Sequence, residues 1–450
     1  MIPRRRPNSR FGSFTPAAAR LNTNERPAVA TDAGKFFSLL DERLKLGTEG
    51  YSPRLLAKIE YAGANERSFE QAHDSLKVLA ELDISTKQVQ RITERLGRER
   101  GEQRDAAVTA FTGGGLKPTH PEPPAVAAIH LDAGKIQLRQ DDGVPGVHQP
   151  HWQDTKVGCF LTYTPISADA DPQPDPPAVF LDPPRVMRLC REMERVRSRP
   201  KPDEPRLPNA KQKLLVEEEQ TAIERPERLV RTAVATLEPV GPFGWMVAAE
   251  AQARGFYQAA RKAILGDGGN WIGPLADLHF PGWVQVLDFL HLLVHLYAAA
   301  TAACRGQPRT AWSVYERWIR WAWAGQVKEL MAGIQAACER LGPPPPKASD
   351  DDPRRIASLT LEYVKNNAHR MDYATYRRLG LPITSAAVES LIKQFNLRVK
   401  GTEMFWAQGG AEAILQVRAA YLSEDDRVIR FHDHRPRGRA VGRNRRKLAA

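Results

Sequence analysis

The stretch AAIHLDAGKIQLRQ, residues 127–140, decides how the fold is interpreted, because it places one carboxylate at the end of an apolar run. Val126 to Asp132 has the composition of a buried strand, and Ile136 to Arg139 alternates apolar and polar residues as a half-buried strand does. The Asp132-Ala-Gly sequence between them favours a very short turn, since Gly134 tolerates a positive φ. An ordinary hairpin therefore accounts for this segment by itself. A functional role for Asp132 requires matching acids elsewhere in the chain.

The length of 450 residues allows two or three domains with a substantial core. The four cysteines contain no CxxC pair, which favours a reducing cytoplasm over a disulfide framework or a structural zinc site. No apolar stretch reaches the ~18–20 residues of a membrane span, and the basic start MIPRRRPNSR lacks the apolar run of a secretion signal. We therefore expect no membrane partner.

The net charge of +12 is unevenly distributed along the chain. Arg427 to Lys447 carries nine Lys or Arg against one acid, and the first ten residues hold four Arg. Basic segments of this density favour a polyanionic partner, because neutralising phosphates releases counterions. Nucleic acid is the first candidate and an anionic membrane surface the second, so we expect a nucleoid-associated protein.

The N-terminal third predicts a helical DNA-binding domain at residues 36–112, after a disordered basic arm at residues 1–35. Ser68 and Gln71 match a capping box, and Ser85 or Thr86 begins the next helix after a short break. The apolar face of that second helix consists of Val89, Ile92 and Leu96. Its outer face carries the candidate DNA-binding residues Lys87, Gln88, Arg91 and Arg95.

Two helices joined by a tight turn, with basic residues near the start of the second, are typical of a helix-turn-helix. A plain helical hairpin with a solvated face is the alternative. The basic ends of the chain favour the DNA-binding interpretation.

A different pattern follows the Gly/Pro-rich linker at residues 113–124. Residues 155–166 predict a third strand, antiparallel to the two strands of the opening stretch. Beyond a proline-rich excursion (165–183) and a charged region expected to be helical (184–236), KAILGDGGNW at 262–271 is a second apolar strand ending in an acid, Asp267. Another strand and helix come next in WVQVLDFLHLLVHLY, and residues 307–378 are helical apart from a tetraproline. The sequence thus predicts a mixed α/β sheet flanked by helices, with a helical insertion.

Three acids recur in this layout: Asp132 and Asp267 at strand ends, and Glu389 one turn into a later helix. Ends of neighbouring strands converge in space, so these acids can meet although they are far apart in sequence. Two Mg²⁺ ions that catalyse phosphoryl transfer need hard oxygen ligands of this kind. The three acids therefore predict a two-metal site.

The motifs resemble the transposases of bacterial insertion sequences of the ISKra type, which are DDE enzymes similar to the Mutator-like branch. The resemblance rests on HLDAGKIQLR (130–139), HWQDTKVGCFL (151–161), the segment from LGDGGNW to HLYAAA (265–300) and the segment from NNAHRMDY to AAYLS (366–423). It extends over roughly residues 36–424, and the order and spacing of the motifs are more specific than any one of them.

The resemblance implies an RNase H-like catalytic domain at residues 125–306 and 379–424, interrupted by a helical insertion at 307–378 and followed by a basic disordered tail at 425–450. It implies that Asp132, Asp267 and Glu389 are the catalytic metal ligands, for Mg²⁺ with Mn²⁺ as a substitute. His291 resembles a histidine that supports the active site in Mutator-like enzymes. The implied partners are double-stranded DNA, as element ends and as target, and further copies of the chain assembled on it.

Several other interpretations remain open. His291 and His295 are spaced as a metal pair, but they lack the glutamate of an HExxH motif, and GDGG lacks the lysine of a phosphate loop. Four tryptophans of the insertion could stack on bases, although packing among the insertion helices explains them more simply. A non-catalytic DNA-binding regulator derived from a transposase is the main alternative function. A carboxylate glycosidase is a further alternative.

The helix that carries Glu389 predicts a DNA contact of its own. Helical spacing aligns Glu389 with Lys393 and Lys400 on one face, opposite the apolar side formed by Val388, Leu391, Ile392, Phe395 and Val399. We expect the two lysines to hold phosphates beside the bond that is cut.

Overall fold

The computed structural model of the chain describes residues 51–139, 151–197, 226–401 and 404–435. Contacts between these residues group Leu56–Asp433 into one compact unit. The basic arm predicted at residues 1–35 and the tail from residue 436 onward lie outside the described residues.

Strand β1, Val126–Leu138, is a single strand of 13 residues, so the hairpin predicted at Asp132 is wrong. Every residue of β1 pairs with antiparallel strand β2, His151–Tyr163, from Val126 opposite Tyr163 to Leu138 opposite His151. Gly134 lacks the positive φ that the predicted turn needed. A partner strand of equal length satisfies the backbone throughout, and this long-range pairing outweighs the local turn preference.

The sheet of the described residues has five strands in the order β3-β2-β1-β4-β5. Strand β3, Arg228–Thr236, pairs antiparallel with β2, whereas β4, Arg261–Gly266, and β5, Val284–Leu287, continue the sheet parallel to β1. The region 184–236 is predicted to be helical. Helix α4, Pro183–Arg197, agrees with this prediction, but residues 228–236 form strand β3, so the prediction is wrong there. The last five residues of β3 are all buried, so tertiary burial selects the strand.

One face of the sheet is covered by the helical insertion and the helix that precedes it. Helix α7, Phe289–Ala303, lies directly on this face and packs against the insertion. The insertion is helical as predicted, and the second helix of the insertion ends before the tetraproline. These helices are α7 (Phe289–Ala303), α8 (Pro308–Trp323), α9 (Val327–Leu341), α10 (Pro353–Asn367) and α11 (Tyr373–Arg378).

The opposite face packs against α5, Val240–Ala253, and α6, Ile272–His279. Helices α12, Ala386–Val399, and α13, Gln408–Leu422, lie on the same face as the insertion, where they cover β2, β3 and the second half of β1. The apolar side predicted for α12 is confirmed, since four of its five residues are buried and Ile392 is partly buried. This packing fixes which way the opposite side of α12 points.

The N-terminal helices are α1 (Pro53–Asn65), α2 (Phe69–Ala80) and α3 (Thr86–Thr112). Both predicted helix starts are confirmed: the Ser68 hydroxyl accepts the Gln71 N–H at 3.0 Å, and the Ser85 hydroxyl accepts that of Gln88 at 3.4 Å. Helix α3 packs against α13, so α1–α3 belong to the same compact unit as the sheet.

Three segments predicted without regular structure are tied to this unit. In the linker, the Thr119 N–H donates to the Ala253 carbonyl at 2.7 Å. The proline-rich segment includes a 3₁₀ turn, Ala178–Leu181, whose Phe180 is buried beside Phe289 and Trp323. Helix α14, Arg427–His434, occupies the start of the predicted tail. None of the helices in the described ranges has the length and apolar character needed to cross a bilayer.

Candidate active site

Three aspartates lie in one row across β1, β4 and β5. Asp267 and Asp288 directly follow β4 and β5, whereas Asp132 lies in the middle of β1, so the strand end predicted at Asp132 is wrong. His130 of β1 is paired with Leu265 of β4, so Asp132 and Asp267 each lie two positions beyond that pair. Gly266 is paired with Leu287, and Asp288 therefore lies beside Asp267. Parallel strands are spaced about 4.8 Å apart, so the three acids are neighbours across the sheet.

Asp288 is the member of this row that the sequence analysis missed. The signal was present, because VQVLD has the same form as the two stretches singled out, a short apolar strand followed by one acid. Asp288 also begins the helix that follows, because its side chain accepts the His291 N–H as a helix cap.

Helix α12 brings Glu389 to the same end of the sheet. Val126 and Ala128 lie on the same face of β1 as Asp132, and they belong to the core that includes α7. Ile136 and Leu138 lie on this face too, but they belong to the core that includes α12. Asp132, which is half-buried, thus lies between the two helices.

A cluster of Asp288, His291 and Glu389, which we call the α7–α12 cluster, forms where these helices meet. Their ligand atoms all lie within 4.8 Å of one another. The His291 ring Nδ1 is 2.5 Å from Asp288 Oδ2, and the same oxygen accepts the His291 backbone N–H at 3.0 Å. The other oxygen of Asp288 accepts the Ser385 N–H at 2.6 Å, and the Ser385 hydroxyl donates to Glu389 at 2.9 Å. Asp288 therefore ties the start of α7 to the start of α12.

His130 is a buried histidine on the same face of β1. Its side chain is 1 % exposed, and neither ring nitrogen has a hydrogen-bond partner. Burial lowers the pKa of His130 to about 4, and the charge of Asp288 opposes only part of that shift. The imidazole is consequently neutral at physiological pH.

The insertion adds Tyr363 of α10 to the site. Its hydroxyl donates to the Asp267 carbonyl at 2.8 Å, and its ring stacks on His295 at 4.1 Å. Gly268 has φ +84°, and a Cβ there would lie 2.8 Å from the Tyr363 ring. A side chain at Gly268 would therefore displace the tyrosine that holds Asp267.

The candidate histidines of α7 have different surroundings. His291 contacts Asp288, whereas His295 stacks on Tyr363, so the ring contacts do not pair them with each other. In the insertion, Trp318 and Trp323 are buried and Trp312 and Trp321 pack against the same core, which is the simpler of the two interpretations of the tryptophans.

The residues predicted to bind DNA on α3 lie on its outer side to different degrees. Lys87 and Arg91 are exposed, while Gln88 and Arg95 are half-buried and Arg95 lies 3.4 Å from Glu99. The two exposed cations remain the strongest candidates for DNA contacts.

The predicted lysine face of α12 changes at its end, because the helix stops at Val399 and Lys400 has an extended backbone. Lys393 and Lys400 are both exposed, and partial burial lowers the pKa of each. The Lys400 ammonium lies 5.4 Å from the Trp152 ring of β2. The two lysines therefore project from different elements.

The N-terminal helices are fastened to α12 by a buried arginine, Arg398. It is 1 % exposed, donates to the Gly63 carbonyl at 2.8 Å and lies 4.5 Å above the Phe69 ring. Burial lowers the pKa of Arg398 to about 10. The predicted DNA-binding helices and the Glu389 helix are thus in direct contact.

No family model matches this chain, and a search among curated proteins found no similar one.

Proposed function

We propose that the protein is a DNA transposase that binds the ends of a mobile element and cuts and joins DNA strands with Asp132, Asp267 and Glu389. The observation that carries this proposal is the row of aspartates across three neighbouring strands, Asp132 within β1 and Asp267 and Asp288 directly after β4 and β5, with Glu389 of α12 beside its last member. The sheet, with three antiparallel strands and then two strands parallel to the first, supports an RNase H-like catalytic domain.

The residues of the row fit a divalent cation, because carboxylates from adjacent strands supply hard oxygen ligands. Asp132 and Asp267 would hold it together with Glu389. When bound, Mg²⁺ or Mn²⁺ supplies activation of the attacking hydroxyl and stabilisation of the leaving oxygen.

The chain holds these acids in place by contacts from three different elements. Asp132 accepts the Ala133 N–H at 2.6 Å, and Asp267 accepts the Gly269 N–H at 3.0 Å. Tyr363 holds the Asp267 backbone, and Ser385 holds Glu389. Fixed acids lower the cost of arranging the site for in-line attack.

DNA binding is assigned to the exposed cations of α3 and α12. Lys87 and Arg91 read the element end in the helix-turn-helix interpretation, and Lys393 holds the strand near Glu389. The net charge of +12 supports a polyanionic partner. A cytoplasmic, nucleoid-associated protein that assembles as a homo-oligomer on DNA follows from this proposal.

Cleavage of the DNA that flanks the gene of this protein tests the proposal. Labelled duplexes from both flanks are expected to be cut at discrete positions with Mg²⁺ or Mn²⁺, while random duplexes are not. Asp132→Asn and Asp267→Asn are expected to abolish cleavage and to retain binding in a gel shift. Asp277→Asn is the matched control, because Asp277 is an exposed acid of α6 that accepts a hydrogen bond from Gln285.

Near-normal cleavage by Asp132→Asn would overturn the assignment of the acids. Binding of the flanks without any cleavage by the wild-type protein would instead support the non-catalytic regulator. Metal-independent hydrolysis of glycosides would support the carbohydrate hydrolase.

A further inference from the structure

We propose that His291 and Glu389, held together by Asp288, bind a first-row transition ion in preference to Mg²⁺, with Mn²⁺ serving as the paramagnetic probe of the site. This inference goes beyond the proposed function, because binding of the ion is measured without DNA and without cleavage.

The first step of the argument is the orientation of His291. With Nδ1 only 2.5 Å from Asp288 Oδ2, the ring N–H donates to the carboxylate, and the lone pair of Nε2 is left for another partner. Histidines that bind metals are commonly oriented in this way by a carboxylate, which fixes the tautomer and makes the ring more basic. Asp288 is thus a positioning residue, and His291 supplies the nitrogen ligand.

The second step is the position of Glu389. Its ligand oxygen lies within 4.8 Å of both other members of the α7–α12 cluster, although residues 304–385, which include the whole insertion, separate α7 from α12. The Ser385 hydroxyl already donates to one oxygen of Glu389. The fixed Glu389 carboxylate and the oriented His291 imidazole thus form a pair of ligands, of which the carboxylate oxygen is the harder and the imidazole nitrogen the softer.

The third step is independent of the cluster and comes from His130. A buried imidazole without any hydrogen bond is destabilising, because its polar nitrogens lose their hydrogen bonds to water, so the site is expected to supply it with a partner. His130 lies two positions before Asp132 on the same face of β1, and neither of its ring nitrogens has a hydrogen-bond partner. A water ligand of an ion bound in the α7–α12 cluster would give His130 such a partner.

The mixed ligand set decides the class of ion. Imidazole suits iron, nickel, copper and zinc, whereas Mg²⁺ prefers carboxylate, carbonyl and water oxygens in a strict octahedron. A site with one nitrogen ligand therefore favours the transition ion over Mg²⁺.

Titration of the full-length protein with Mn²⁺, followed by electron paramagnetic resonance, tests the inference. Electron spin echo modulation of the wild-type protein is expected to show coupling of Mn²⁺ to a ¹⁴N nucleus. His291→Gln is expected to remove that coupling and to weaken Mn²⁺ binding at least 10-fold. Asp288→Asn is expected to weaken it about 10–100-fold, since carboxylates behind a ligating histidine have effects of this size.

His295→Gln is the matched control, because His295 lies one turn further along α7 and stacks on Tyr363. It is expected to leave both the ¹⁴N coupling and the affinity unchanged. Absence of ¹⁴N coupling in the wild-type protein, which requires no variant to fold, would overturn the inference. Equal binding of Mn²⁺ by wild type and His291→Gln would do the same.

The outcomes separate this inference from the proposed function. Nitrogen-coupled Mn²⁺ without cleavage of the flanking DNA would leave the metal site standing and reject the transposase. Cleavage supported by Mg²⁺ without nitrogen coupling would leave the transposase standing and reject the metal site.

Discussion

Asp288 is fully buried at the end of β5, and both of its oxygens accept hydrogen bonds from the chain. A buried carboxylate is tolerated only when its charge is satisfied in this way. The bonds reach α7 through His291 and the start of α12 through Ser385. One residue thus sets the distance between the two helices that border Asp132.

The proposed reading of DNA by α3 is tested most directly at Arg91. It is exposed near the helix start, where a recognition helix meets base edges. Arg91→Ala is expected to weaken binding to the correct element end by about 1–3 kcal/mol and to change binding to random DNA much less. Fluorescence anisotropy with both duplexes at fixed salt measures the difference.

Arg98 provides the control for Arg91, because it is exposed on the same face of α3 two turns further along. Arg98→Ala is expected to affect both duplexes equally, as loss of a phosphate contact does. If Arg91→Ala also lost equal affinity for both duplexes, the reading of a base by Arg91 would be rejected.

Helix α3 packs against α13 closely enough that one glycine decides the contact. A Cβ at Gly97 would lie 2.2 Å from the Ala413 carbonyl oxygen, which belongs to the backbone of α13 and cannot move aside by itself. Gly97→Ala is therefore expected to lower the free energy of unfolding by about 1–3 kcal/mol through overpacking. Urea denaturation measures this change.

Gly101 is the matched glycine, one turn further along α3. A Cβ there would lie 3.9 Å from the nearest atom, a side-chain carbon of Gln416, so alanine fits. Gly101→Ala is expected to leave stability unchanged or raise it by up to about 1 kcal/mol, because alanine is the better helix former. Equal effects of the two substitutions would contradict the close contact.

In the proposed function, Glu389 of α12 takes part in cleavage, and the two lysines near it take part in DNA binding. Glu389→Gln is expected to bind DNA without cutting it. Lys393→Ala combined with Lys400→Ala is expected to cut slowly, and the dependence of log K on log salt should be shallower by about two units. An unchanged salt dependence with normal cleavage would reduce both lysines to ordinary surface residues.

At the scale of the whole molecule, Glu60 of α1 joins elements from both ends of the chain. It is buried, pairs with Arg100 of α3 at 2.6 Å and with His432 of α14 at 2.7 Å. Burial raises the pKa of Glu60, but the hydrogen bonds from His432 and Arg100 outweigh it and lower the pKa below 4.5. This contact contributes to the packing of the N-terminal helices on the rest of the unit.

Because the pKa of Glu60 is lower in the folded state, its stabilisation is present above about pH 4.5 and is lost as the pH falls through the folded pKa. Glu60→Gln is expected to destabilise the protein by about 3 kcal/mol at pH 7, since it leaves Arg100 buried without its carboxylate. Unfolding by urea at several pH values should show the difference between variant and wild type shrinking below pH 4.5. A difference that stays constant there would contradict the ion pair.

The sequence by itself determined the elements whose signals are local. Ser68 and Ser85 cap their helices with bonds to residues three positions away, and the tetraproline ends a helix because proline lacks an N–H. Apolar runs followed by an acid identified Asp132 and Asp267, although only Asp267 directly follows a strand and Asp132 lies in the middle of β1. Each of these features depends on a few residues that are close in sequence, so the amino-acid sequence alone is sufficient to predict it.

Only the tertiary structure decided what depends on a distant partner. Residues 126–138 form one strand because β2 pairs along their full length, and residues 228–236 form a strand because the edge of that sheet buries them. Glu389 reaches Asp288 only because the insertion folds back on α7 and returns the chain to the same strand ends. Local patterns choose helices and turns within a few residues, whereas pairing and burial are set by surfaces that meet only when the whole chain has folded.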